Sequence, residues 1–351
     1  MRRILVTGGA GFIGSHFVRH ILTQHDDYEV INLDKLTYAG NPDNLRAIEG
    51  SALAKRYRFV KGDVCDEKLV AELVGQVDAI VNFAAETHVD RSLMEPAEFI
   101  RTDVHGTYVL LSAAAAAGGR IERILHISTD EVYGHIRKWW RAKEDRALRP
   151  RSPYAASKAG ADMQCLAFIE TFRLPVVIAR PCNNVGPNQH PEKMAPLFIS
   201  NALEEKPLPV YGDGQQRRDW LFVTDNCEAL DLLLHKGEPG EVYNIGAGNE
   251  RPNMAVVEKI LALLGKPRDL IRFVEDRPGH DRRDALDWEK MRALGWSPRH
   301  DFAAALEKTV AWYVNNRWWW EKIKSGVFRD YYEKQYGARL ASARAALPGE
   351  S

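Results

Sequence analysis

Cysteine is scarce in this chain. Cys65, Cys165, Cys182 and Cys227 are the only four in 351 residues, scattered and without CxxC spacing. That excludes a disulfide scaffold and reads as the reduced thiols of a cytosolic protein. A net charge is missing too, because 48 basic residues balance 48 acidic ones. No general attraction to nucleic acid or an anionic membrane is therefore expected. Nor is any apolar run long enough to cross a bilayer. Arg2-Arg3 and the apolar residues after them imitate a signal start, but Gly8, Gly9, Gly11 and Gly14 break the run. Internal repeats, low-complexity tracts and metal-ligand spacings are also lacking, so no metal is assigned.

What the chain does have is alternation. Short apolar runs at Ile4–Val6, Val30–Leu33, Tyr57–Val60, Ala79–Phe83, Ile124–Ile127 and Val176–Ala179 read as buried strands. Helical patterns fall between them, notably Phe12–Leu22, Ala97–Ala117 and Ser152–Phe172. This predicts an α/β fold, a doubly wound parallel sheet of Rossmann type covered on both faces. Pocket residues should gather at the carboxyl ends of the strands. After Pro181 the texture changes to Pro/Gly clusters between helices, read as a smaller C-terminal α/β substrate-binding region, mostly helical. The expected boundaries are 1–181 for the first domain, with 215–245 returning to it. Residues 182–214 and 246–335 form the second, and 336–351 a tail. The aromatic run Arg317–Trp320 is expected to pack against the body.

Three motifs carry chemistry. Gly8-x-x-Gly11-x-x-Gly14 follows a strand and opens a helix, where glycine lets the backbone approach a pyrophosphate at a positive helix end. Asp34 ends the second strand, where a carboxylate accepts ribose hydroxyls and repels a 2′-phosphate, favouring NAD over NADP; Lys35, next in line, softens that choice. Tyr154 and Lys158 sit one helical turn apart on one face. The ammonium, with a cationic nicotinamide ring, is expected to lower the phenol pKa so that Tyr154 takes a hydroxyl proton as hydride leaves. Asp130 and Glu131 are adjacent carboxylates whose pKa values should split into one acid and one base.

The chain resembles the extended short-chain dehydrogenase/reductase enzymes and, within them, the dTDP-glucose 4,6-dehydratases. The likeness runs through Gly8–Gly14, Asp34–Asn41, Ala84–Ser92, Ser128–Gly134, Ser152–Lys158, Pro191–Lys193, Tyr211–Gly214, Arg218–Trp220, Tyr243–Gly246 and Asp276–Asp281. The Thr129-Asp130-Glu131 triplet is its most specific part. The resemblance implies bound NAD and three steps: C4 oxidation of a nucleotide glucose with Tyr154 and Lys158, loss of water across C5 and C6 with Glu131 as base and Asp130 as acid, and hydride return to C6. Thr129 would bond near O4. Phe12, Ile13, Lys35, Thr37, Gly40, Asp63, Val64, Ala84, Ala85 and Glu86 would line the cofactor beside the glycines, Asp34, Tyr154 and Lys158. Arg218 and Arg277 would hold the diphosphate, Asn183 and Asn253 the sugar diphosphate, Tyr211 the base, and Lys193 and Pro209 the nucleotide end, with Thr87 and His280 also touching substrate. A homodimer through Ala97–Ala117 and Ser152–Phe172, and deoxysugar supply such as the rhamnose route, are implied too. UDP- or CDP-glucose as substrate, or a non-catalytic NAD-binding regulator, are the alternatives. The chain departs from the family at Asp103, usually asparagine, and at Val185 and Asp284, each usually tyrosine. Thr87 replaces serine. The departure at Asp103 leaves its hydrogen bonds open, and those at Val185 and Asp284 bear on nucleotide selectivity.

Overall fold

The computed structural model describes residues 2–345. Six parallel strands follow one another along the first half: β1 (Arg2–Thr7), β2 (Tyr28–Asp34), β3 (Tyr57–Lys61), β4 (Ala79–Asn82), β5 (Arg123–Ile127) and β6 (Val176–Pro181). The strand Val242–Ile245 joins them as a seventh, in the order Val242–Ile245, β6, β5, β4, β1, β2, β3. Central strands such as Ile4–Val6 and Val176–Ala179 are fully buried on both faces, which is why they read as continuous rather than alternating apolar runs. The strand order reverses between β1 and β4, so a crevice opens at their carboxyl ends. Helix α1 (Phe12–Gln24) follows β1 directly, and the helix Val223–Lys236 packs against it on the same side of the sheet.

The remaining chain builds a second core. Its small sheet pairs Leu208–Tyr211 with Ile271–Val274, under helices Met194–Leu203, Asn253–Leu264 and Phe302–Asn315. Trp319 and Trp320 are buried there, their indole N–H groups donating to Asn44 Oδ1 and Tyr313 O, each at 2.9 Å. Two expectations differ in detail. The helix Val327–Ala341 runs across the boundary drawn at 335/336 because Tyr336 is buried against Tyr211, with ring centroids 6.0 Å apart; the last six residues of the expected tail, 346–351, lie outside the described residues. The expected helix Ala97–Ala117 is interrupted by a wide π-helical turn over Ile100–His105. That turn carries Asp103 inward to Ser157 Oγ and the Glu86 N–H.

One buried ion pair ties these layers together. Asp162, on the helix Pro153–Phe172, meets Arg180 of β6 at 2.9 Å, and both are almost fully buried. Arg180 also donates to the Tyr133 hydroxyl at 2.7 Å, which donates to Asn244 Oδ1 at 2.8 Å. Asp162→Asn leaves the guanidinium buried without its counter-charge. Chemical denaturation should show a loss of about 3–5 kcal/mol; a loss under about 1 kcal/mol would mean the pair is not the fastening it looks to be.

Candidate active site

The crevice at the switch point begins with the glycine turn. Gly8 sits at φ +69°, and a side chain there would press its Cβ to 2.7 Å from Ala84 N. At Gly14 a Cβ would lie 2.3 Å from Gly8 O, so the first helical turn closes onto the loop only without one. Gly11 caps α1, whose first turn carries no acidic side chain, leaving its N–H groups facing the cleft uncompensated. Asp34 ends β2 and accepts from Ala10 N at 2.9 Å and Leu36 N at 2.8 Å. Gly40 keeps clear of it; a Cβ there would come to 2.8 Å from Asp34 Oδ1. Burial lifts the Asp34 pKa against these two N–H bonds. Lys35 turns away to Asp63 at 2.9 Å.

Every residue assigned above to the cofactor lines this cleft, as do Thr87, Thr129, Asp130 and Glu131. A second, smaller cleft is lined by Asn183, Lys193, Pro209, Tyr211, Arg218, Asn253, Arg277 and His280. Glu131, Asn183 and Lys193 belong to both. The two are thus arms of one groove that bends at Glu131. Buried polar atoms without a protein partner mark the second arm: Asn183 Oδ1, Asn253 Oδ1 and Arg277 Nε. Such atoms call for a polar occupant.

At the bend, β5 delivers Thr129, which caps a 3-10 turn over Asp130–Tyr133. The Thr129 hydroxyl accepts from Glu131 N at 3.3 Å and donates to Asp130 Oδ1 at 3.1 Å. Gly134 closes the turn at φ +64°, where a Cβ would strike Arg149 O. Burial pushes the Asp130 carboxyl well above the usual carboxylate range, and Asp284 and Glu131 push it further. Asp284, 1% exposed, is itself pushed up to about 7, by burial first, with Asp281 and Glu131 adding and Arg218 opposing. Of the adjacent pair, Asp130 is thus the carboxyl whose burial and neighbours favour its protonated form.

Ser152 caps the helix Pro153–Phe172, accepting from Ala155 N at 3.1 Å. The cap sets Tyr154 and Lys158 into the cleft wall. In the protein alone the Tyr154 phenol is raised well above its ordinary value, by burial first and then by Glu131 and Asp103; the expected lowering is tied to a cationic nicotinamide beside it. The Lys158 ammonium donates to Ile127 O at 2.6 Å, so its charge is spent on the end of β5.

Several functional partners escaped sequence reasoning. Asp90 accepts from the Tyr211 hydroxyl at 2.9 Å and Arg277 Nη1 at 3.1 Å. Arg91 bonds Glu192 at 2.7 Å while stacked between the rings of Tyr38 and Tyr331, 3.8 and 4.2 Å away. Arg218 is paired with Asp284 at 2.8 Å. The Asp90-Arg91 dipeptide was visible as a motif, but no spacing reveals partners 121 and 187 residues off. The departures also find their places. Val185 is fully buried in the second core and Asp284 lies behind Arg218, and neither lines the groove. Direct contact with a base is therefore not how either acts.

Comparison with known proteins gives a consistent set of matches. Residues 5–309 match the family model described as GDP-mannose 4,6 dehydratase. A dTDP-glucose 4,6-dehydratase of Streptomyces niveus is 51% identical, the match covering 92% of this chain and 96% of that one. The low-salt glycan biosynthesis protein Agl12 of Haloferax volcanii is 52% identical over 89% of this chain and 99% of its own. Among solved structures, the dTDP-glucose 4,6-dehydratase DesIV of Streptomyces venezuelae, with NAD and TYD bound, superposes with a TM-score of 0.88 at 49% identity, covering 92% of this chain and all of that one.

Asp103 offers a test of the site's electrostatics. It accepts from Glu86 N at 2.8 Å and Ser157 Oγ at 2.6 Å, two donors that suit a carboxylate without any need for an amide. Burial pushes its pKa up to about 6, against Lys158 and these bonds. A folded pKa above the unfolded one means stability is lost as pH rises from about 4 through about 6. Asp103→Asn removes that charge. Denaturation of both proteins should show the variant gaining up to about 3 kcal/mol on the wild type between pH 4 and pH 8. A gap that does not move with pH would show that Asp103 is not charged at a cost.

Proposed function

We propose that this chain, which belongs to the GDP-mannose 4,6 dehydratase family, dehydrates dTDP-glucose to dTDP-4-keto-6-deoxyglucose with bound NAD. The observation that carries the reading is the buried Asp130, its carboxyl pushed well above the usual range, beside Glu131 and Tyr154 where the two arms of the groove meet. A simple dehydrogenase needs only the tyrosine.

The first arm fits a dinucleotide: its glycines leave room for a pyrophosphate, and Asp34 stands where ribose hydroxyls would be read. When bound, NAD supplies the hydride acceptor and donor, and a positive charge that favours the tyrosinate. Tyr154 takes the C4 hydroxyl proton as the C4–H bond breaks. Thr129 bonds the new carbonyl oxygen, whose electron withdrawal acidifies C5–H. Glu131 removes that proton, and Asp130 gives its own to the C6 hydroxyl, which leaves as water. After hydride addition at C6, Glu131 returns the proton to C5. Lys158 braces Tyr154 through the end of β5. In the second arm Arg218 and Arg277, each fixed by a carboxylate, retain donors for a diphosphate.

Further properties follow from the same reading. Ile100, Tyr108, Met163 and Phe172 lie exposed on the two helical segments expected at a subunit contact, which supports a homodimer. No helix among the described residues is long and apolar enough to cross a membrane, and no cysteine is paired, which supports a cytoplasmic setting. The product class feeds deoxysugar supply, the rhamnose route among its outlets.

Incubation with dTDP-glucose in heavy water, without added NAD, tests the reading. Mass spectrometry should find loss of one water with solvent deuterium at C5. Intact substrate even after NAD is supplied would overturn it, and UDP- and CDP-glucose in parallel rank the nucleotide. Glu131→Gln should still reduce NAD on adding substrate, while C5 exchange slows roughly 100-fold or more; unchanged exchange would remove Glu131 as the base.

Asp284→Asn tests the acid. Asp130 works protonated, so activity falls as pH rises through its pKa. Removing a neighbour that raises that pKa should move the alkaline limb of the kcat profile to lower pH. An unmoved limb would take Asp284 out of the acid's surroundings.

A further inference from the structure

Outside the groove, among the described residues, one set of side chains converges as metal ligands do. His20 and His25 come from the C-terminal end of α1, and Asp231 and His235 from the helix Val223–Lys236 packed against it. His20 Nε2 and His25 Nε2 lie 2.9 and 3.0 Å from Asp231 Oδ2, and His235 Nδ1 lies 3.0 Å from Oδ1. The ligating atoms of His25, Asp231 and His235 all fall within 4.8 Å of one another. We propose that these four side chains bind a single divalent cation of the zinc class, which staples the returning helix to α1.

The donor set is right in kind. Imidazole nitrogen with one carboxylate oxygen suits zinc and its borderline neighbours, not calcium or magnesium. It is also right in spacing. Each histidine nitrogen lies 2.9–3.0 Å from a carboxylate oxygen of Asp231, near the roughly 3.3 Å that tetrahedral bonds of about 2.0–2.2 Å set between ligand atoms. Asp231 and His235 stand four residues apart, which puts both on one helix face. The rings of His25 and His235 stack at 4.9 Å, packed closely enough to reach one centre together. His235 also has outer support: its Nε2 lies 2.8 Å from the Tyr28 hydroxyl, which receives Arg2 Nη1 at 3.4 Å. Metal-ligating histidines are commonly oriented this way through the second nitrogen. The side chains are 15–28% exposed, so a cation can enter from solvent. The site lies at the far end of α1 from the glycine turn, about 20 Å away along the helix. It therefore holds the fold without touching the reaction.

The local spacing of Asp231 and His235 gives half of this set, and the rest escapes the sequence because His20 and Asp231 are 211 residues apart. The test is titration of the chelator-stripped full chain with cobalt(II), followed by zinc. One equivalent of cobalt should bind with the visible absorption of a tetrahedral site, zinc should displace it, and zinc should raise the melting midpoint. The double variant His25→Ala, His235→Ala should lose the absorption. Asp231→Asn, nearly isosteric, repeats the test should that double variant fail to fold. Tyr28→Phe should weaken binding about 10-fold through the lost outer bond. Absence of saturable uptake by the wild type overturns the proposal. Uptake undiminished in the His25/His235 or Asp231 variants overturns it equally.

Discussion

The arrangement of the catalytic bend depends on burying one ion pair. Tyr154, Lys158 and Asp162 are spaced four apart on the helix Pro153–Phe172 and share a face. Asp162 meets Arg180, and Arg180 meets Tyr133 at the end of the turn that carries Asp130 and Glu131. A single guanidinium thus fixes the rotation of the helix and the position of the turn together. Replacing the pair with apolar residues of the same volume could preserve stability. It would remove the directional bonds that, beside buried Ala159, Cys165 and Phe168, set which side of the helix faces the sheet.

That rigidity matters because the bend concentrates like charge. Asp130, Asp281 and Asp284 are each raised, by burial first and then by neighbouring carboxylates that include Glu131, with Arg218 opposing in all three. In water such a cluster would spread apart. Here the backbone of β5 and its turn forbids it, so the electrostatic cost appears as a raised pKa at Asp130. Two carboxyls adjacent in sequence stand in different environments, Asp130 buried and Glu131 half-buried, which is the kind of difference that separates an acid from a base. Tyr154 shows the same logic in reverse: burial and nearby carboxylates keep it neutral until a positive charge arrives.

The parts legible in the sequence were those written locally. The strands announced themselves by apolar runs, and the glycine turn by its position between strand and helix. What could not be read is what depends on partners far along the chain. Arg218 looked like a free diphosphate ligand, yet Asp284 holds it. The lysine beside Tyr154 looked like its pKa perturber, yet its proton goes to Ile127 O and burial dominates. The wide turn over Ile100–His105 left no mark, because a π-helical insertion changes hydrogen-bond register without changing residue preference. Seeing Asp103 as a departure was correct, but its consequence required knowing that both its partners are donors.

The departures also illustrate how a nucleotide-sugar groove tolerates change. Val185 exchanges a polar ring for an apolar side chain at a position buried under the second core, where nothing polar is needed. Asp284 exchanges a neutral phenol for a carboxylate at a position where Arg218 already supplies the opposite charge. Neither substitution alters the groove surface; both alter what stands behind it. Behind Asp130, that change is electrostatic, since Asp284 adds to the rise of its pKa. A position that lines no part of the groove can therefore still act on a carboxylate that does.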